Sequence, residues 1–290
     1  MLTGSIIGDI KYQFRYGNMV VKLIFVNVAV FAFFGLLNLI GFVAQSSGFY
    51  NLLLNHLQVT AYLPTLLYQP WSVFTYMFLH VAVFHILFNM LWLYWFGDIF
   101  VLYLGDNKVL PLYIIGGLGG ALLYILAYNL LPVFNPILPG SYMLGASASI
   151  LAIVFAAATL NPDHEISLIL IGPVKIKYIA LFSLLLDVIN IPYGNAGGYI
   201  AHVGGAFTGY LYVTSLRSGF DPVSSFLKLF KRKSSVKVSY KNTDVKVDST
   251  KARSKGEQEK VDEILDKIAR SGYDSLSKEE RDFLFNYSKK

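Results

Sequence analysis

Of 290 residues, 55% are hydrophobic and only 14% are charged, against about 25% charged in soluble domains, and the mean hydropathy is +0.52. This is the composition of a membrane protein, and with no Cys it excludes disulfides, thiolate catalysis and thiolate-ligated metal. The net charge of +6 suggests a nucleic-acid surface until its distribution is read.

Lys and Arg fall in four places: Lys11, Arg15 and Lys22; Lys108; Lys175 and Lys177; and the tail from Arg217 onward. Each group flanks an apolar run, as the positive-inside rule expects of cytoplasmic ends, so the charge reports topology and no nucleic-acid partner is expected. Residues 1–18 are a short polar, basic lead. The apolar run that follows is too long for a signal-peptide h-region and has no small-residue cleavage site behind it.

Membrane spans are expected at 19–43, from 71 or 75 to 96, at 109–131, 143–160, about 178–191 and 199–216, lengths near the roughly 20 residues that cross a hydrocarbon core. The uncharged connection 45–69 is expected to lie partly in the outer leaflet. Gly116 and Gly120 form a close-packing pair in the third span. Residues 132–142 read as an outer loop, and 166–171 as a short apolar run interrupted by Lys175 and Lys177. Six spans put both termini on one side, and the basic ends put that side in the cytoplasm. Residues 218–255 read as a basic polar linker, with Lys231, Arg232 and Lys233 suited to anionic headgroups. Residues 256–290 read as a helical cytosolic appendage whose partner the sequence does not name. Val261, Ile264, Leu265 and Ile268 share a helical face, and Ser277 with Glu280 forms a capping box before Phe283 and Leu284. The expected fold class is all-α: a polytopic six-helix membrane bundle, 19–217, with a small cytosolic helical tail.

Polar groups inside spans are costly and mark function by default. Ser147 and Ser149 open the fourth span, in Leu144-Gly145-Ala146-Ser147-Ala148-Ser149-Ile150. On that stretch alone helix packing explains the hydroxyls better than nucleophilic chemistry does. The second span carries His80, His85 and Asn89, and the sixth carries His202, Gly205 and Gly209. Spans two, four and six all run from outside to inside, so His85, Asn89, Ser147 and His202 share a layer in the outer part of the membrane. His85 and Asn89, four apart, project from one helix face. Ala201, Gly205 and Gly209 form a ridge that suits the Ala148, Ala152, Ala156 ridge, and such a contact brings His202 to Ser147. His202 then serves as base and acid toward Ser147, while His85, Asn89 and the Ser147 backbone N–H stabilise an oxyanion. His80 is expected to make a structural hydrogen bond to a neighbouring helix, and His56 and His164 to sit in exposed loops. A metal at His80, His85 and His202 lacks carboxylate support, so no metal is expected.

These residues resemble the rhomboid family of intramembrane serine proteases over about 19–217. H-x-x-x-x-H-x-x-x-N is matched by His80, His85 and Asn89, G-x-S by Gly145 and Ser147, and A-H-x-x-G-x-x-x-G by Ala201, His202, Gly205 and Gly209. The resemblance implies a Ser–His dyad with no obligatory acid and no cofactor. It implies hydrolysis of a peptide bond in or near the transmembrane segment of a membrane-protein substrate, among membrane lipids, in a bacterial cytoplasmic (inner) membrane. The chain departs from the family pattern at Ala148, where Gly usually follows the nucleophile, at Leu151, often aromatic, and at Trp71-Ser72, where many members have Trp-Arg. Asp187, in the fifth span, is a candidate third acid, but its outer-end position near the loop favours a local structural hydrogen bond. Two rivals are a catalytically inactive rhomboid-like binder of transmembrane helices, which loss of Ser or His would favour, and a small transporter, which would show inverted repeats.

Overall fold

The computed structural model describes residues 5–168, 171–224 and 249–287, in two compact units, 1–231 and 232–290. The basic triplet at 231–233 lies outside the described residues. The first unit begins with α1 (Ile6–Tyr16), so the polar lead is largely helical. Then come α2 (Met19–Val43), α3 (Gly48–Leu57), β1 (Val59–Thr60), α4 (Leu63–Tyr68), α5 (Ser72–Thr75), α6 (Val83–Leu104) and α7 (Val109–Leu130). After β2 (Tyr142–Met143) follow α8 (Ser147–Leu160), the hairpin β3 (Glu165–Leu168) and β4 (Gly172–Lys175), α9 (Ile176–Asn190) and α10 (Ala196–Arg217).

Among the described residues, four stretches are long and apolar enough to cross a membrane: Met19–Val43, Val83–Leu104, Asp106–Leu130 and Ile176–Tyr193. Helix α8 is apolar but has only 14 residues. At about 1.5 Å per residue it is roughly 21 Å long, short of a hydrocarbon core of about 30 Å. Helix α10 has 22 residues, and the five glycines among them dilute its apolar character.

Polar side chains at the expected cytoplasmic turns fix the helix ends. Asn18 caps α2, accepting from the Val21 N–H at 3.0 Å and donating to Asp98 at 3.1 Å, and the Met19 N–H donates to Asp106. Lys108 at the head of α7 pairs with Asp221 beyond α10 at 2.9 Å. Burial alone would raise the Asp221 carboxyl, but hydrogen bonds from Ser224 and Lys108 outweigh it and hold the group at about 2.

Helix α8 is the core. Every residue from Ala148 to Ala158 except Phe155 is buried, the pattern of a helix apolar on all sides. It contacts α6, α7, α9 and α10. Small residues set its approach to α7 and α10. A Cβ at Gly116 or Gly120 would overlap or crowd Ala152 and Ala148. One at Gly205 or Gly209 would overlap the Ala148 and Ala152 carbonyls. Backbones come this close where no side chain intervenes.

Several sequence expectations need correction. The second span does not begin at 71 or 75: residues 72–78 form two short turns, Leu79 and Ala82 are extended with no helix between them, and α6 starts at Val83. Tertiary partners take the backbone acceptors there. The Gly145 N–H donates to the Tyr76 carbonyl and the Tyr113 hydroxyl to the Met77 carbonyl, so these oxygens are not held for a helix ladder. The fourth helix begins at Ser147 rather than 143, because Tyr142 and Met143 pair with Thr60 and Val59. Connection 45–69 is therefore structured, as α3, β1 and α4. Residues 166–171 belong largely to the β3–β4 hairpin, whose register places Glu165 opposite Lys175. These two small ladders qualify the all-helical expectation.

The second unit contains α11 (Ser249–Ser271) and α12 (Lys278–Tyr287), so helix begins inside the stretch expected as linker. Ser277 and Glu280 make the reciprocal cap, with the Ser277 N–H donating to Glu280 at 2.7 Å and the Glu280 N–H to Ser277 Oγ at 3.2 Å. Hydrogen bonds from Lys267 and from the Ser277 N–H hold the Glu280 carboxyl below its ordinary range. Val261 and Ile264 are buried, whereas Leu265 is half exposed.

Candidate active site

Ser147 is the first residue of α8. Its N–H therefore has no carbonyl one turn back within the helix and is free to point at a ligand, at the end where the helix dipole is positive. The turn that delivers it needs Gly145, whose φ is +128°. A Cβ there would also stand 2.8 Å from the His85 ring, so the glycine serves both backbone and neighbour. Ala148 lies in regular helix. The turn does not need conformational freedom at that position, and Gly120 opposite leaves room for its methyl group.

Across the α8–α10 contact, His202 Nε2 lies 2.6 Å from Ser147 Oγ. Ser149, two residues on, faces the other way: among the described residues its buried hydroxyl meets only the Met77 sulfur, at 3.8 Å. Of the two serines, Ser147 alone has an imidazole. His85 and Asn89 stand on α6 beside the pair, and the Asn89 amide donates to the His85 carbonyl at 2.9 Å, leaving one of its two hydrogens for other use.

Two hollows flank the pair. An open cleft of about 440 Å³ is bounded by Phe88, Asn89, Trp92, Leu151, Leu186 and Asp187. A more enclosed cavity of about 160 Å³ lies on the other side, between Tyr76, His85, Gly145 and Asn195. The first is largely apolar, with Phe84, Phe88, Trp92, Ile150, Leu151 and Leu186 against the polar groups of His85, Asn89, Ser147, Ser183, Asp187 and His202, which suits a greasy extended chain brought to a polar end. A larger cavity, about 590 Å³, lies against the β3–β4 hairpin. Among the described residues no Ser or Thr there is bonded to an imidazole, so size does not locate the chemistry.

Three other sequence expectations change. Asp187 makes no local bond; it crosses from α9 to His202, with Oδ2 3.0 Å from Nδ1. The carboxylate lies out of line with the ring N–H, so the contact is one of proximity, not an aligned hydrogen bond. Its outer-end position near the loop favoured a local bond over the third-acid reading, and which of the two holds depends on how α9 is rotated. His80 is buried with its ring edge-on to His85 at 5.1 Å, and makes no side-chain hydrogen bond to a neighbouring helix among the described residues. His56 sits on α3, not in a loop, and its Nδ1 is 2.8 Å from the Leu52 carbonyl. His164 is in the connection to β3, with its Nδ1 3.0 Å from the Tyr103 hydroxyl. Beside it, hydrogen bonds from Lys177 and Lys175 lower the exposed Asp163 carboxyl.

The same stretch of chain is similar to known proteins. A family model described as Rhomboid domain matches residues 68–219. A second, for a family of unknown function (DUF6576), matches 243–290. Over 157 residues the chain is 29% identical to RHOMBOID-like protein 12, mitochondrial, of Arabidopsis thaliana, covering 51% of this chain and 47% of that protein. Over 55 residues it is 36% identical to Rhomboid protease GlpG of Salmonella newport and of Salmonella heidelberg, covering 19% of this chain and 20% of theirs. The chain thus spans about half, or a fifth, of the length of these relatives. The Rhomboid match contains the glycine turn at 145, the hydroxyl–imidazole contact and the small-residue seam behind it, and on that match the chain belongs to the Rhomboid family, a multi-pass membrane protein.

Proposed function

We propose that this protein is an intramembrane serine endopeptidase that cuts membrane proteins in or near a transmembrane segment. The observation that carries the reading is the 2.6 Å contact between His202 Nε2 and Ser147 Oγ at the end of an apolar cleft. His202 removes the Ser147 proton as the oxygen attacks the scissile carbonyl, then gives that proton to the leaving amine. Water enters the acyl-enzyme by the same base. The negative oxygen of the tetrahedral state is met by the Ser147 N–H at the α8 N-terminus, with His85 and Asn89 beside it.

The short α8 supports a recessed site. In a six-span arrangement with α2, α6, α7, α8, α9 and α10 crossing, α8 leaves several ångströms of membrane above Ser147. A substrate helix hides its backbone carbonyls in its own hydrogen bonds, so it must unwind locally before an extended segment reaches the cleft. Both termini, and the 256–290 appendage, lie on the cytoplasmic side in this reading, in a bacterial cytoplasmic membrane.

The test is cleavage of a transmembrane reporter by the purified protein in detergent, beside Ser147→Ala and Ser149→Ala, with fluorophosphonate labelling. Cleavage and labelling lost with Ser147→Ala and kept with Ser149→Ala are expected. An unmutated protein that neither cuts nor labels would transfer the reading to a helix-binding, inactive rhomboid-like protein.

A further inference from the structure

We infer that Asp187 is a positioning residue for His202, making the centre a serine–histidine–carboxylate arrangement rather than a pair. The inference rests on the proposed protease function and adds an acid that the sequence motifs do not contain. Asp187 Oδ2 stands 3.0 Å from His202 Nδ1, on the side of the ring opposite Ser147. Both side chains are largely enclosed, 15% and 18% exposed. His202 Nδ1 has no aligned hydrogen-bond partner, and among the described residues no other cation is within ion-pair distance of Asp187. An acid in a membrane bundle without a Lys or Arg is costly and calls for a function.

Here the function follows from the proton count. A carboxylate at Nδ1 holds the ring proton there and leaves the Nε2 lone pair facing Ser147 Oγ. When Nε2 takes the serine proton, the ring becomes cationic, and the carboxylate gains an ion pair that did not exist before the step. The contact is thus stronger in the transition state than in the ground state, the condition for a rate effect. A modest turn of the Asp187 side chain brings the oxygen into line with the N–H. Helix α9 permits it, since its buried residues, Ile176 and Ala180, both lie toward the other end.

The experiment compares Asp187→Ala, Asp187→Asn and Asp187→Glu in the full-length protein, reading kcat and KM on the reporter and the His202 tautomer by ¹⁵N NMR with the ring neutral. Asp187→Ala is expected to lower kcat about 100-fold with KM within about twofold, less than the ~10⁴ loss seen for a fully buried triad acid. Asp187→Asn should lose at least as much, because its amide can donate to Nδ1 and shift the ring proton to Nε2. Asp187→Glu should recover part of the rate. In the unmutated protein the ring proton should sit on Nδ1, and in Asp187→Ala it should redistribute toward Nε2. Unchanged kcat in the Ala and Asn variants of a protein that cuts would overturn the inference. So would a lower kcat with the tautomer unmoved, which assigns Asp187 to structure alone. If the unmutated protein does not cut, the protease reading fails, and the tautomer comparison still decides the role of Asp187.

Discussion

The two sides of α8 are built on opposite principles. Toward α7 and α10 it meets a seam of Gly116, Gly120, Gly205 and Gly209, where backbones approach closely enough that a Cβ would overlap. Toward α6 and α9 it borders a cleft of about 440 Å³, and α9 beyond it exposes Leu181, Phe182, Leu185 and Ile189. Ser149 lies on the first side, whereas Ser147, at the end of the helix, meets His202 of α10 and opens onto the cleft. The contrast shows how one short helix holds a hydroxyl rigidly and still leaves it approachable: close packing behind fixes the helix, and loose packing in front admits a ligand.

The sharpest test of that contrast is chemical. Ser147→Ala and His202→Ala should each lower reporter cleavage by about 10³-fold or more, whereas Ser149→Ala should stay within about twofold. Equal losses at both serines would erase the distinction. Next is the turn between the two sides. Gly145→Ala puts a Cβ on a residue at φ +128° and against His85, and cleavage should fall about 10- to 100-fold with the fold retained on size exclusion. Stability should divide in the same way. Gly205→Ala pushes a methyl into the Ala148 carbonyl and should destabilise the bundle by about 1–3 kcal/mol, read as a lower thermal midpoint in detergent. Phe88→Ala, 58% exposed on the open side, should change stability by about 0.5 kcal/mol or less.

The last effect, confined to low pH, concerns the staple that joins α7 to the segment after α10. Asp221, held at about 2, contributes stability that is fully present above the ordinary carboxylate range and is lost as pH falls toward about 2. Allowing for its partial exposure, the contribution is about 1 kcal/mol. Lys108→Ala should remove part of it and flatten the acid side of a melting-temperature profile; an unchanged profile would detach this pair from the seam.

Much of this was legible because membrane chemistry leaves strong marks. A charged or polar side chain in hydrocarbon needs a reason, so Ser147, His202, His85 and Asn89 stood out from the apolar runs around them. The first span, α2 (Met19–Val43), matches its expected bounds, because Asn18 caps its start and a mostly apolar run, broken only by Lys22, Asn27 and Asn38, continues to the polar residues from Gln45. The start of α6 was not legible. Residues 71–82 are as apolar as the helix that follows, and only contacts from Gly145 and Tyr113 show that their carbonyls are used elsewhere.

Composition and spacing by themselves determined a polytopic helical protein with a polar layer and three motifs on separate helices. Periodicity fixes which residues share a helix face, but not how neighbouring helices are rotated against each other. Only the tertiary structure decided that Ala148 needs no glycine's freedom because Gly120 makes room for it. It also decided that Asp187, which looked like a local hydrogen-bonding residue on α9, reaches His202, since the meeting of two side chains from different helices depends on packing that no single segment encodes.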